Sequence, residues 1–355
     1  MRLFHLSDLH IGVNSRLGVD GHKNEVMRHL KGVLETAQKE GVDFVVFAGD
    51  VFDSNAVPTS FVMEFFETLA GFSDVNFVII PGGGAHHEGE VTGHDAYTSD
   101  SVYRRVDVVS FVEGAGNIFL LTPDKPSVKV KDAAFYAGFF GYPRSGVISD
   151  AFYHIAVLHG AFGKSEDRGE EPIDPMVDKY HYIALGHYHG FKRLADNAAY
   201  SGAFVQFEFL PHRDAVSGYV AVELGGGKPL VEHRVLEDAP CFVRMEVKAP
   251  EDVEEIERLL ESGARVRLIS YFDEYRDAVS KLKRSYKEFL EVADGAEISG
   301  GDFGFADVLD EVISEAVPYE LAGDVKELLL YGLRIASKRG AKRDLELFLR
   351  EHFGF

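Results

Sequence analysis

Five short apolar runs constrain this chain more than any other feature of its sequence. They are "RLFHLS" (2–7), "DFVVFAG" (43–49), "NFVIIPG" (76–82), "HIAVLHG" (154–160) and "HYIALGH" (181–187), and each leads into Gly, Asp or His. Runs of this length and β-branched content suit strands buried on both faces. Between the first two, Val26, Leu30, Val33, Leu34 and Ala37 share one helical face, closed by Gly41 as a C-cap. Phe61, Phe65, Phe66 and Leu69 mark a second helix between the next pair. Strand–helix–strand units imply an α/β sandwich with a largely parallel core. In such sheets ligands bind outside the carboxyl ends of the strands.

The polar residues cluster at those ends. "SDLHIG" supplies Asp8 and His10, "AGDVFD" Asp50 and Asp53, "VLHG" His159, and "LGHYHG" His187 and His189. In extended backbone, residues two apart point to one face, so Asp8/His10 and His187/His189 are expected as paired ligands. A mixed carboxylate–imidazole set suits Mn²⁺, Fe²⁺ or Zn²⁺, whereas Ca²⁺ and Mg²⁺ favour oxygen alone. If one carboxylate bridges, the set can hold two cations about 3.5–4 Å apart, the arrangement used for in-line displacement at phosphorus. A single strand-end histidine is more often a hydrogen-bonded loop residue than a ligand. The repetition of the signal at strand after strand is what carries the inference. His5, inside the first apolar run, reads as structural, and Asp53 as a supporting residue or the cap of the following helix, with Asp50 the ligand.

The order Asp-x-His, Gly-Asp, Leu-His-Gly, Gly-His-x-His resembles the calcineurin-like metallophosphoesterase superfamily. Within it, "MRLFHLSDLHIG", "GDVFDSNAVPTSF" and "AYSGAFVQFEF" (199–209) resemble the SbcD-like nucleases of double-strand-break repair, over roughly residues 1–210. The resemblance implies a metallophosphoesterase β-sandwich flanked by helices, with a small α+β capping domain and a helical C-terminal tail. It implies that Asp8, His10, Asp50 and His189 hold one metal, and Asp50 as the bridge, His159 and His187 the other. It further implies two Mn²⁺ ions, exo- and endonuclease action on DNA, an ABC-type, SMC-like ATPase partner on the C-terminal helices, and a homodimer. The chemistry such a pair of cations supplies is an activated water that attacks phosphorus and charge stabilisation on the phosphoryl oxygens.

The match breaks at "IIPGGGAHH". After this strand the family has Gly-Asn-His-Asp, where the Asn is a ligand and the His assists the leaving oxygen. Gly83 and Gly84 stand in those two slots, and glycine offers no side-chain donor or ligand. Three arrangements remain open. An insertion can deliver the missing groups later, from Gly93-His94-Asp95, with His94 as the acid. His86, His87 or Glu88 can fold back over the metals. Or the glycines form a turn approaching phosphate, leaving a weakly active or inactive protein that recruits DNA or an ATPase as a scaffold. A phosphoesterase of nucleotides or other small esters is the remaining enzymatic alternative.

The rest of the chain is organised around this core. Boundaries are expected near 237 and 300, giving a nuclease domain 1–237, a capping domain 238–300 built on a β-α-β pattern, and a helical region 301–355. A charged helix is expected from about 274 to 292. The formal charge of −21 argues against a uniformly basic nucleic-acid binder, so phosphate contact must be local. Arg144 in "GYPRSG" is a substrate-contact candidate. Basic clusters lie at Arg276, Lys281, Lys283, Arg284 and Lys287, and at Arg334, Lys338, Arg339, Lys342 and Arg343, where solvated helix faces are the commoner meaning. No apolar run is long enough for a membrane span, and the lone Cys241 excludes an internal disulfide and fits a reducing cytoplasm.

Overall fold

The computed structural model describes residues 1–83, 85–87, 90–164, 170–211, 216–293 and 297–298; at 85–87, 90–92 and 297–298 only the backbone is described. The chain divides into two compact units, one comprising Met1–Arg244 and Gly263–Arg265, the other Met245–Ser262 and the residues from Val266 onward.

In the first unit, β1 (Arg2–Leu6) leads through α1 (Gly18–Glu40) to β2 (Phe44–Ala48) and through α2 (Thr59–Ala70) to β3 (Asn76–Ile80). A short hairpin, β4 (Ala85–His87) and β5 (Glu90–Thr92), interrupts the alternation before α3 (Val106–Ala115) and β6 (Ile118–Leu120). β1, β2, β3 and β6 pair in parallel, and the antiparallel strands Gly218–Glu223 and Leu230–Val235 complete six strands. A second six-stranded sheet has β7 (Ser127–Val130) antiparallel to β8 (Ala133–Phe139). It then runs parallel through β9 (Tyr153–His159), Tyr182–Gly186 and Ala198–Tyr200, and closes on antiparallel Lys192–Ala195.

Period-two alternation sorts each strand between two cores. Leu3, Phe44, Val46, Val78 and Ile80 point into the sandwich, against Phe135, Ile155, Val157 and Ala184 of the second sheet. Phe4, Leu6, Val45, Phe47 and Phe77 point the other way, onto Val26, Leu30 and Leu34 of α1 and Phe65, Phe66 and Leu69 of α2. Both faces of the first sheet are therefore covered, which explains the unbroken apolar runs. His5 falls on the sandwich side, fully buried, with Nδ1 3.0 Å from the Tyr182 hydroxyl. Gly41 closes α1 in the left-handed conformation (φ 66°). The sandwich core flanked by helices is the architecture expected from the sequence.

The second unit is a small α+β module. The strand Arg265–Phe272 pairs in parallel with Leu290–Val292, and helices Pro250–Glu261 and Arg276–Ser285 bury Ile256, Leu260, Val279 and Leu282 against Val266 and Leu268. The helix expected over 274–292 is shorter than its charge pattern implied. It stops at Ser285, because Phe289 and Leu290 are taken into the sheet, where the Phe289 carbonyl accepts from the Val266 N–H (2.8 Å). The region 301–355, with its expected helices and second basic cluster, lies outside the described residues. No helix among the described residues is long and apolar enough to cross a membrane.

Candidate metal centre

Main-chain bonds lace the carboxyl end of β1 to that of β2, and the end of β9 to that of Tyr182–Gly186. The Asp8 N–H donates to Gly49 O (3.1 Å), the His10 N–H to Asp50 O (3.0 Å) and the Gly160 N–H to Gly186 O (3.2 Å). The sheets approach so closely at this end that a Cβ on Gly186 would lie 1.9 Å from Ala48 O, which is why glycine precedes His187. Asp8 (φ 52°), His10 (φ 45°) and Asp50 (φ 49°) all occupy left-handed backbone. Asp and His are among the residues that tolerate this region, and such outliers gather at functional sites. The pairing of Asp8 with His10 thus comes from a coiled loop after β1, not from the strand alternation inferred from the sequence. His187 (φ 116°) likewise lies past its strand.

Three groups of ligand atoms, each within 4.8 Å of one another, form at this end: Asp8, His10 and His189; Asp8, Asp50 and His159; and His10, Asp53 and His94. Asp50 is central. Its Oδ2 lies 3.4 Å from His159 Nε2, 3.6 Å from His10 Nε2 and 3.9 Å from His94 Nε2. The His159 Nδ1 faces Ala48 O at 2.9 Å, and since a carbonyl only accepts, Nδ1 carries a proton and Nε2 is the ring atom left facing the cluster. Asp8 accepts from Ser7 Oγ and, at 3.1 Å on each oxygen, from the His187 N–H. The His187 ring stands 5.6 Å from that of His159 and 5.4 Å from Phe140, and joins none of the three groups.

The electrostatics favour a cation. Burial alone would raise the Asp50 carboxyl, but the positive field of His159, then of His10 and His94, holds it below the usual carboxylate range. Burial alone would lower the His159 imidazole, yet Asp50 and then Asp8 raise it to about 10. His187 is lowered to about 4, first by burial and then by the charge of His159. In His189 burial is outweighed by the hydrogen bond to Glu208 and by Asp8, and the group is raised. The buried carboxylates thus demand positive charge. Among the described residues, His10 Nδ1 and Nε2 and His159 Nε2 are buried without a hydrogen-bond partner. Buried polar atoms are rarely left so. Orphaned ring nitrogens facing buried carboxylates fit divalent cations held by nitrogen and oxygen.

Past the glycines, β4 and β5 pair antiparallel ahead of His94. The Gly82 N–H donates to Asp95 Oδ1 (2.7 Å) and the Gly83 N–H to Asp50 Oδ1 (2.8 Å), so the glycines serve through their backbone. The His94 ring lies 4.7 Å from that of His10, with Nδ1 donating to Asp53 O (3.1 Å) and Nε2 toward Asp50. The side chains of His86 and His87, and all of Gly84 and Glu88, lie outside the described residues.

Asp95, the other loop residue expected as a possible contributor, faces inward. It is fully buried, and both oxygens are consumed by Gly82, by the Val51 and Phe52 N–H groups (3.0 and 3.2 Å) and by the Tyr103 hydroxyl (2.6 Å). It staples the β2 and β3 loops together. Burial first, and Asp50 next, raise its carboxyl to about 6 against those donors. Asp53 is no helix cap: α2 starts after Pro58, and Asp53 Oδ1 instead lies 3.5 Å from His10 Nδ1. Sequence reasoning missed Glu208, which hydrogen-bonds His189 Nδ1, and Phe207, whose ring packs 4.6 Å from His10 and 4.9 Å from His189. Both sit in "VQFEF", whose alternation of aromatic and acid was the available signal. Arg144 is exposed and lines a cleft of about 800 Å³ beside Gly82 and Phe140, together with Tyr97, Arg104 and Tyr142.

A family model for calcineurin-like phosphoesterases matches residues 1–191. Two proteins described as "DNA double-strand break repair protein Mre11" are similar. The Aeropyrum pernix protein is 28% identical over 85 residues, 24% of this chain and 20% of that protein. The Thermoplasma acidophilum protein is 24% identical over 287 residues, 73% of this chain and 71% of that protein. The first match therefore spans only a fifth of its relative. A crystal structure of TT1561 from Thermus thermophilus aligns with a TM-score of 0.41 and 9% identity, covering 65% of this chain and 98% of that one.

Proposed function

The chain belongs to the calcineurin-like phosphoesterase family, and from that premise we propose that it is a divalent-metal-dependent phosphodiesterase acting on DNA. The observation that carries this reading is the convergence of Asp8, His10, Asp50, His159 and His189 with three ring nitrogens buried and unpaired. Similarity to proteins named for DNA double-strand break repair supports DNA over smaller esters.

Asp8, His10 and His189 would hold one cation, and Asp8, Asp50 and His159 the other, with Asp8 and Asp50 both within reach of the shared space. His187 would complete the second set only by turning its ring toward Asp50. Such cations, Mn²⁺ being our choice for this mixed donor set, supply a nucleophilic water and offset charge on the phosphoryl oxygens. The protein's own part is positional. Glu208 orients His189 through its hydrogen bond, Ala48 O holds the His159 tautomer, Asp53 Oδ1 lies 3.5 Å from His10 Nδ1, and the Phe207 ring packs on His10 and His189. His94, whose Nδ1–H donates to Asp53 O, would in its protonated form give a proton from Nε2 to the departing oxygen, a contribution of roughly 10²–10⁴-fold. An ATPase partner on residues 301–355 and self-association belong to the same proposal.

The test is hydrolysis of single-stranded and overhang DNA with Mn²⁺. Asp50→Ala is expected to abolish both turnover and Mn²⁺ binding measured by calorimetry. Wild-type protein that binds no Mn²⁺, or Asp50→Ala with undiminished turnover, refutes the reading.

A further inference from the structure

Two serines outside the ligand set meet beside Asp8. Ser7 follows β1 of the first sheet and Ser201 follows the strand Ala198–Tyr200 of the second, and both are fully buried, as is Asp8. The Ser7 hydroxyl donates to Asp8 Oδ2, and the Ser7 and Ser201 oxygens lie 2.7 Å apart. A hydroxyl carries one proton and a carboxylate only accepts, so the Ser7 proton goes to Asp8 and Ser201 donates to Ser7. Spending the Ser201 proton on Gly202 O, 3.3 Å away, would instead leave two hydroxyl lone pairs facing each other at 2.7 Å. The order is therefore Ser201 to Ser7 to Asp8, from one sheet to the other.

The loop that carries Ser201 is fastened by other bonds. The Phe204 N–H donates to Ser7 O (3.2 Å), and the Ala203 N–H (2.9 Å) and Gln206 Nε2 (3.1 Å) both donate to His189 O. Gly202, at φ 78°, permits that approach, since a Cβ there would lie 2.9 Å from Phe191 N and 3.0 Å from His189 O. The placing of the loop thus leaves the Ser201 hydroxyl to another task. Asp8 belongs to two of the three groups of candidate ligands, so its orientation counts twice. The His187 N–H reaches both Asp8 oxygens at 3.1 Å and does not tell them apart. The Ser7 hydroxyl does, by holding Oδ2. Hydrogen bonds to an ionised acceptor are the stronger kind, and a donor that itself accepts a hydrogen bond is strengthened further.

We propose that Ser201 and Ser7 are positioning residues that act as one hydroxyl relay, by which the second sheet fixes the Asp8 carboxylate for the cations. The inference rests on the metal-dependent phosphodiesterase reading and adds to it two residues that bind no metal themselves. Groups that hold a ligand in place commonly matter to metal affinity nearly as much as the ligand does.

The test is calorimetric titration of Mn²⁺ into the full chain and three variants, with urea denaturation of each to follow folding separately. Ser7→Ala is expected to weaken Mn²⁺ binding about 10–100-fold. Ser201→Ala, whose lost hydroxyl reaches Asp8 only through Ser7, is expected to weaken it at least about fivefold. In a relay the second loss is contained in the first, so the double variant Ser7→Ala/Ser201→Ala should bind Mn²⁺ within about twofold of Ser7→Ala alone. If wild type binds Mn²⁺ but Ser201→Ala binds it equally well, or the two single losses multiply in the double variant, the inference is overturned and the phosphodiesterase reading stands. A lowered urea midpoint with unchanged Mn²⁺ affinity overturns it too, because that is the signature of serines that only support the fold. Wild-type protein that binds no Mn²⁺ removes both readings together.

Discussion

Gly82→Ala is the smallest perturbation that should disable the metal centre. A Cβ built on Gly82 lies 1.9 Å from Asp50 Oδ1 and 2.3 Å from Asp50 N, whereas real Cβ contacts essentially never fall under 3.0 Å. The neighbours must therefore give by about 1 Å. Neither loop can yield freely. The Gly82 N–H is bonded to Asp95 at 2.7 Å and the Gly83 N–H to Asp50 at 2.8 Å, so moving the glycine loop breaks both bonds. The carboxylate is the only part with a rotor, and turning it withdraws it from His10 and His159. Metal–ligand distances tolerate about 0.2 Å, so a displacement near 1 Å removes a ligand. The expected result is a loss of Mn²⁺ affinity of about 10²-fold or more, with about 1–3 kcal/mol of stability from overpacking. Calorimetric titration of Mn²⁺ into wild type and Gly82→Ala measures the first, and urea denaturation the second. Affinity within threefold of wild type would show that Asp50 is not a metal ligand, and the steric argument would fail with it.

Other outcomes follow from the same geometry. Glu208→Gln keeps the shape but weakens the hold on His189 Nδ1, and Mn²⁺ affinity should fall about 10–100-fold; unchanged calorimetry would mean that His189 needs no orienting partner. Asp95→Ala orphans the Val51, Phe52 and Gly82 N–H groups and the Tyr103 hydroxyl, at about 1–3 kcal/mol for each left buried and unpaired. Amide exchange at 51, 52 and 82 should accelerate, and wild-type protection there would contradict the staple. His5 is fully buried and lowered by burial to about 3, below its ordinary 6.5. It is neutral in the folded state, so its contribution is whole above pH 6.5. As pH falls below 6.5 only the unfolded chain takes up the proton, and stability drops by up to about 1.4 kcal/mol per pH unit toward pH 3. His5→Gln should flatten that acid slope in denaturation midpoints between pH 6.5 and 4.5; an unchanged slope would assign the acid sensitivity elsewhere.

The architecture was legible because strands buried on both faces and amphipathic helices are written in local periodicity. The runs at 43–49 and 76–82 became β2 and β3, and the face of Val26, Leu30 and Leu34 became the buried face of α1. The polar residues at strand ends were equally visible, since a parallel sheet delivers all its carboxyl ends to one side. Less visible was how they meet. Asp8 and His10 are neighbours in sequence, but left-handed turns aim them, and no residue-type pattern announces such turns when the residues are Asp and His rather than Gly.

The glycine loop marks the boundary between the two kinds of information. Chemistry-bearing residue types, and the break in their order at Gly83, were determined by the sequence alone, because side-chain chemistry travels with the residue. That His94 lies against His10, while Asp95 turns inward to bind three amides and a hydroxyl, was decided only by tertiary structure. So was the pairing of His189 with Glu208. Whether a carboxylate faces a pocket or the interior depends on which unpaired N–H groups lie within about 3 Å once the chain has closed on itself.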